Sequence, residues 1–132
     1  LKAGALVNVK ANDGTTALML ACENTDTPSI VSLIIDAGAD VNAKDAFGTT
    51  ALMYAAKYEE TEILKLLLDK GANVNARDNA GRTPLFYAEN EEDAKFLINA
   101  GADVNAKDNE GKTALDYAND KNLYDENFYE NL

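Results

Sequence analysis

Catalysis in water needs a positioned nucleophile, base or metal, and this chain of 132 residues is poor in the side chains that supply them. It has no histidine and a single cysteine, Cys22. A Ser-His-Asp or Cys-His device is thereby excluded, as is a zinc site built on histidine. Cys22 stands where Ala56 stands in a matching segment, so it reads as a small packing residue rather than a reactive thiol. The run Ala106-Lys107-Asp108-Asn109-Glu110-Gly111-Lys112-Thr113 imitates a phosphate-binding loop, but such loops are glycine-rich and follow a buried strand. The same frame recurs at 76–83 and 43–50, with Arg82 and Thr49 in the place of Lys112, which points to a structural turn. Asn8, Asn12 and Gly14 echo a calcium loop that would close at Met19 instead of at the bidentate glutamate it needs. No catalytic residue, cofactor or metal is expected.

That recurring frame belongs to a longer phrase. Gly71 to Ala88 reads Gly-Ala-Asn-Val-Asn-Ala-Arg-Asp-Asn-Ala-Gly-Arg-Thr-Pro-Leu-Phe-Tyr-Ala, and the phrase returns at 38–55, at 101–118 and, more loosely, at 4–21. Its second glycine falls at Gly14, Gly48, Gly81 and Gly111, in steps of 34, 33 and 30 residues. A period near 33 means that each unit buries its apolar face against its neighbours, not in one central core.

Each unit can be built from its residues. Thr16, Thr50, Thr83 and Thr113 precede apolar runs, where a threonine hydroxyl can cap free helix amides. Pro84 follows one of them at the first helical position, where its missing N–H costs nothing. The first helix is short and alanine-rich, as in Ala51 to Ala56. A polar break leads to a second helix with a broad apolar face: Ile63, Leu64, Leu66, Leu67 and Leu68 in one unit, and Ile30, Val31, Leu33, Ile34 and Ile35 after Thr27-Pro28 in the unit before. In the third unit Asn90 leads into Glu91, Glu92 and Asp93, which complement the helix dipole. Gly38, Gly71 and Gly101 end the second helices. Asp and Asn beside Gly then favour a tight hairpin tip. The three-residue deletion in the third unit is expected in the inter-helix break near Glu89-Asn90. Tyr124, Phe128 and Leu132, spaced four residues apart, predict a final capping helix.

With these elements the chain resembles the ankyrin-repeat family over nearly its whole length, and its Thr-Ala-Leu-Met-Tyr-Ala style looks more like bacterial members than animal ones. Gly-Ala-Asp-Val-Asn-Ala-Lys-Asp at 38–45 and 101–108 resembles the phrase between repeats, and Thr83-Pro84-Leu85 resembles the start of the first helix. The resemblance implies an all-α ankyrin-repeat solenoid, each repeat a helix–turn–helix with a β-hairpin finger. It divides as 1–11 (the end of a preceding repeat and its arm), 12–44, 45–77, the short 78–107, and the capping unit 108–132. There are departures. Met19, Met53, Phe86 and Asp116 stand where the family usually places histidine, and Glu59-Glu60 replaces the usual Gly-His, so some bonding between repeats is put in doubt.

The resemblance further implies a non-enzymatic module that binds a protein partner through finger tips and first-helix faces. Carried over, the contact positions are Ala46, Phe47 and Thr49; Asn79, Ala80 and Arg82; Asn109, Glu110 and Lys112; and, at the helix ends, Lys57, Tyr58 and Glu89. Asn12, Asp13, Thr15, Glu23, Asn24, Asn90, Asn119 and Asp120 complete the set. Phe47, Tyr58 and Arg82 are the expected anchors, because aromatic residues and Arg carry most interface energy. Tyr54, Tyr87 and Tyr117, with Leu20, recur as a ladder for which packing is favoured over ligand contact. The alternative is a structural or regulatory segment of a larger protein whose activity lies elsewhere.

Charge narrows the partner. With 23 acidic and 12 basic residues the net charge is −11, against nucleic acid and anionic membranes and in favour of a partner with a basic patch. No apolar run approaches the ~20 residues of a membrane span. A monomer is expected. Leu1-Lys2-Ala3-Gly4 parallels Leu68-Asp69-Lys70-Gly71, so the chain is expected to be a fragment of a longer protein. The compartment stays open, with the cytoplasm as default.

Overall fold

In the computed structural model, residues 6–23, 28–125, 127–128 and 130 are described. Seven helices follow in order among them: α1 (Ala17–Ala21), α2 (Pro28–Asp36), α3 (Ala51–Lys57), α4 (Thr61–Asp69), α5 (Pro84–Tyr87), α6 (Glu91–Asn99) and α7 (Ala114–Lys121). The first helices α1, α3, α5 and α7 pack in sequence against one another, and the second helices α2, α4 and α6 form a parallel row behind them. This is the all-α solenoid the repeats predict. Its core runs between the rows as one apolar cluster, from Leu18 and Val31 through Leu52, Ile63, Leu64 and Leu67 to Leu85, Leu97 and Phe128. Ala51, Ala55, Ala56, Ala88 and Ala114 are all buried there, so small side chains do bring neighbouring first helices close.

The helix ends follow the expected chemistry with one exception. The hydroxyls of Thr16, Thr50 and Thr113 accept from the amides of Met19, Met53 and Asp116, and Asn90 accepts from Asp93. Thr83 makes no such bond, and its buried Oγ1 is without a hydrogen-bond partner. The expected cap of Thr27 lies outside the described residues. At Gly71 the chain turns with φ +87°, so that Gly71 N–H donates to Leu68 O and Ala72 N–H to Leu67 O, closing α4.

Three expectations need correction. First, the fingers are tight turns and not regular β-hairpins. Each is pinned by two main-chain bonds, such as Asp45 N–H to Thr49 O with Gly48 N–H to Asp45 O, and among the described residues a single isolated bridge joins Lys107 and Thr113. Second, the deletion does not shorten the inter-helix break. Three residues separate α3 from α4 and three separate α5 from α6, whereas α5 has 4 residues against 7 in α3. The break keeps its three residues, and the helix lost its last turn. Third, Tyr124 and Phe128 close the core from turns and not from a helix: Phe128 is buried and its ring meets that of Tyr124 at 4.9 Å. Leu132 lies outside the described residues.

Candidate functional site

The expected contact residues lie where fingers meet first helices, and two sets of polar bonds define which groups are engaged there. The first set joins arm to arm. Asn8, Asn42 and Asn75 each donate from the side-chain amide to the carbonyl of the next unit's glycine (Gly38, Gly71, Gly101) and accept from the amide two residues further on (Asp40, Asn73, Asp103). Lys10, Lys44 and Arg77 reach the carbonyls of Lys44, Arg77 and Lys107 in the same way. At the tips, Asn79 donates to Ala46 O and Asn109 to Asn79 O, side chain to main chain. The bonding between repeats that the missing histidines put in doubt is thus supplied by asparagines and basic residues of the arms.

The second set holds each finger to its own first helix. Asp45 Oδ1 accepts from the amides of Phe47 and Thr49, while its Oδ2 accepts from the Tyr54 hydroxyl at 2.6 Å. Asp78 serves Ala80, Arg82 and the Tyr87 hydroxyl, and Asp108 serves Glu110, Lys112 and the Tyr117 hydroxyl. Burial, and then the bond to Asp78, push the Tyr87 phenol up to about 12; burial and Asp45 push Tyr54 upward as well. Desolvation works to raise the Asp108 carboxyl, but its amide, phenol and Arg82 partners outweigh it and hold the group below the usual carboxylate range. The tyrosine ladder is therefore half-buried, and its hydroxyls are spent on carboxylates.

Against this background the expected contact residues separate. Phe47 is 70% exposed at its tip and Tyr58 is 43% exposed at the end of α3, its ring stacked on Tyr54 at 6.4 Å. Lys57 is exposed, and among the described residues it has no carboxylate within 4.0 Å. Arg82 is tied down: it donates to the Tyr117 hydroxyl at 2.7 Å, lies 3.7 Å from Asp108 and covers the Tyr117 ring, thereby bridging two repeats. Ala46, Ala80, Glu110 and Lys112 are exposed and Thr49 is half-buried. Glu89 lies 3.9 Å from Lys121, and Lys112 4.0 Å from Asp120. Asn79 and Asn109 are exposed, with their amides turned to the preceding finger.

Two adjoining cavities run along this strip. One, of about 240 Å³, is bounded by the finger residues Phe47 and Thr49, by Met53, Tyr54 and Lys57 of α3, and by Tyr87. The other, of about 270 Å³, shares Lys57 and Tyr87 and extends over Arg82, Phe86 and Glu89 to Tyr117, Lys121 and Leu123. The second exists because α5 stops short. Three missing residues at ~1.5 Å each leave a notch of roughly 4.5 Å between the longer helices α3 and α7. Phe86, on its rim, meets Tyr117 edge-on at 5.7 Å.

Two residues were missed by sequence reasoning. Asp93, read only as helix-dipole charge, is fully buried at the position of Ile63; it accepts from Thr61 Oγ1 at 2.6 Å and from Asn90 Nδ2, and burial raises its carboxyl. Its alignment with Ile63 was the available signal. Glu59, at the place of the family's usual glycine, takes φ +58°, a left-handed conformation that favours glycine. Cys22 is buried, and desolvation, with Glu60 and Glu23, pushes its thiol up to about 12, which fits a packing residue.

Paired helices stacked in two rows, with fingers hydrogen-bonded along one edge, define a linear repeat scaffold. The family profile described as "Ankyrin repeats (3 copies)" matches residues 1–78 and again 18–108, and the chain belongs to the ankyrin-repeat family. Such repeats are generally protein–protein interaction modules and typically not enzymes. A search of curated proteins returned no match. Among the described residues, no helix is long and apolar enough to cross a membrane.

Proposed function

We propose that this chain is a non-enzymatic module that holds a protein partner along the strip from the Phe47 tip to the notch beyond α5. The observation that carries the reading is the placement of Phe47 and Tyr58. Both are large rings left in water, on the unit that also presents Lys57, and one of them walls a cavity. A polar residue would serve the turn at Phe47 just as well, Tyr58 rests one face on Tyr54, and aromatic residues in such places contribute often ~2 kcal/mol or more to an interface. Ala46, Thr49, Ala80, Glu89, Glu110 and Lys112 form the surrounding rim. Arg82, fixed between repeats, offers its remaining exposed face without further loss of side-chain freedom.

The test is affinity capture from the source organism's lysate with the parent chain and a Phe47→Ala/Tyr58→Ala variant of matched stability. A protein retained by the parent and lost by the variant is expected. Equal retention would move the interface off this strip.

A further inference from the structure

The structure assigns a chemistry to the partner: we infer that the notch beyond α5 receives an aspartate or glutamate side chain from a partner segment whose neighbouring residue is apolar. This rests on the binding reading above and sharpens it. It also reverses the expectation, from net charge, of a basic partner.

Three observations converge on the notch. Its lining carries three cations, Lys57, Arg82 and Lys121, against one carboxylate, Glu89, in a chain whose net charge is −11. The cations are not equally engaged. Lys121 and Glu89 are 3.9 Å apart with side chains about half exposed, a geometry that holds either group only weakly. The Lys57 ammonium lies 5.6 Å from the centre of the Tyr58 ring, and no carboxylate answers it among the described residues. Finally, the carboxylates behind the strip have their oxygens filled. Asp78 and Asp108 each accept from two finger amides and one phenol, and Asp108 also pairs with Arg82 at 3.7 Å, so Lys57 is the cation they leave unanswered.

An incoming carboxylate therefore meets Lys57 and the exposed edge of Arg82, while an incoming lysine meets like charge at both. Beside the cations stand the rings of Phe86 and Tyr87 and the side chain of Leu123, which suit an apolar neighbour on the same segment. At about 270 Å³ the notch has room for one or two side chains of a polypeptide. The acidic remainder of the chain repels such a segment at a distance, but that field is screened beyond ~8 Å at physiological ionic strength, so contact chemistry decides.

The test is selection of a displayed library of random peptides of about 12 residues on the immobilised chain, followed by fluorescence anisotropy of labelled synthetic winners. Peptides enriched in Asp or Glu beside an aromatic or aliphatic residue are expected. They should lose about tenfold in affinity on Lys57→Glu and a few-fold on Lys57→Gln, and they should weaken likewise when their own acid becomes the amide. Unchanged circular dichroism establishes that both variants fold. Winners rich in Lys or Arg, or acidic winners indifferent to Lys57→Glu, overturn the inference. The underlying reading fails differently: if no winner weakens against the Phe47→Ala/Tyr58→Ala variant, the strip itself is wrong and the inference falls with it. Basic winners that do weaken there overturn the acidic chemistry alone.

Discussion

The arms and the notch are built from the same repeat and treat their polar groups in opposite ways. Along the arms, each asparagine of the series Asn8, Asn42 and Asn75 makes the same two bonds to the next unit, and each basic residue of the series Lys10, Lys44 and Arg77 reaches the next carbonyl. At the notch the repeat breaks step: α5 loses a turn, Lys57 has no carboxylate partner among the described residues and Arg82 is borrowed by the following unit. A polar residue that recurs in every unit with the same bond is holding the stack. One left unmatched where the period fails is available to something else.

Substitutions can break that distinction, and the largest effect is expected at a finger tip. Gly81 has φ +79°, and a Cβ there would sit 2.5 Å from Asn109 Oδ1 and 3.0 Å from Asn109 N. Gly81→Ala should cost about 2–3 kcal/mol in urea unfolding, from backbone strain and a displaced neighbouring finger. A cost under ~0.5 kcal/mol would mean that the tips are loosely coupled.

The next comparison sets an exposed arm residue against an exposed notch residue. Asn75→Ala deletes the bonds to Gly101 O at 3.0 Å and from Asp103 N at 2.8 Å, and should destabilise by about 1 kcal/mol. Lys57→Ala should stay within ~0.5 kcal/mol of the parent. Equal costs at the two sites would erase the division between holding and available groups.

The smallest effect has the opposite sign. Glu59 occupies a left-handed conformation at φ +58°, so Glu59→Gly should raise stability by about 0.5–1 kcal/mol. The equivalent change at Glu89, which is not in that region, should bring no gain. Thermal unfolding of the two variants side by side reads the difference.

The sequence made the fold legible because its punctuation is local. A threonine hydroxyl before an apolar run and a glycine after one mark helix ends wherever they occur, and Thr16, Thr50, Thr113 and Gly71 all act as their types demand. The shortened helix was not legible, because glycine-to-glycine spacing counts missing residues without saying which element gives them up. In the fold the reversal at 88–90 keeps three residues and α5 gives up its last turn. The arm ladder left a signal in the recurrence of Asn at 8, 42, 75 and 105, but its partners lie about one repeat away and only the stack reveals them. The notch left only the 30-residue step from Gly81 to Gly111, which does not show where a space opens. It is a space between α3 and α7, made by what is missing from α5.

The central claim is that this missing turn creates the binding site. Inserting Ala-Lys-Tyr after Ala88 copies residues 56–58 into the short repeat and restores the turn that α3 possesses. Anisotropy titration of one selected acidic peptide against the parent and this filled variant measures the consequence directly. The account predicts a variant that folds with equal or greater stability and binds at least about tenfold more weakly, since the incoming side chain finds its space occupied. A filled, folded variant that binds the peptide as tightly as the parent would contradict it.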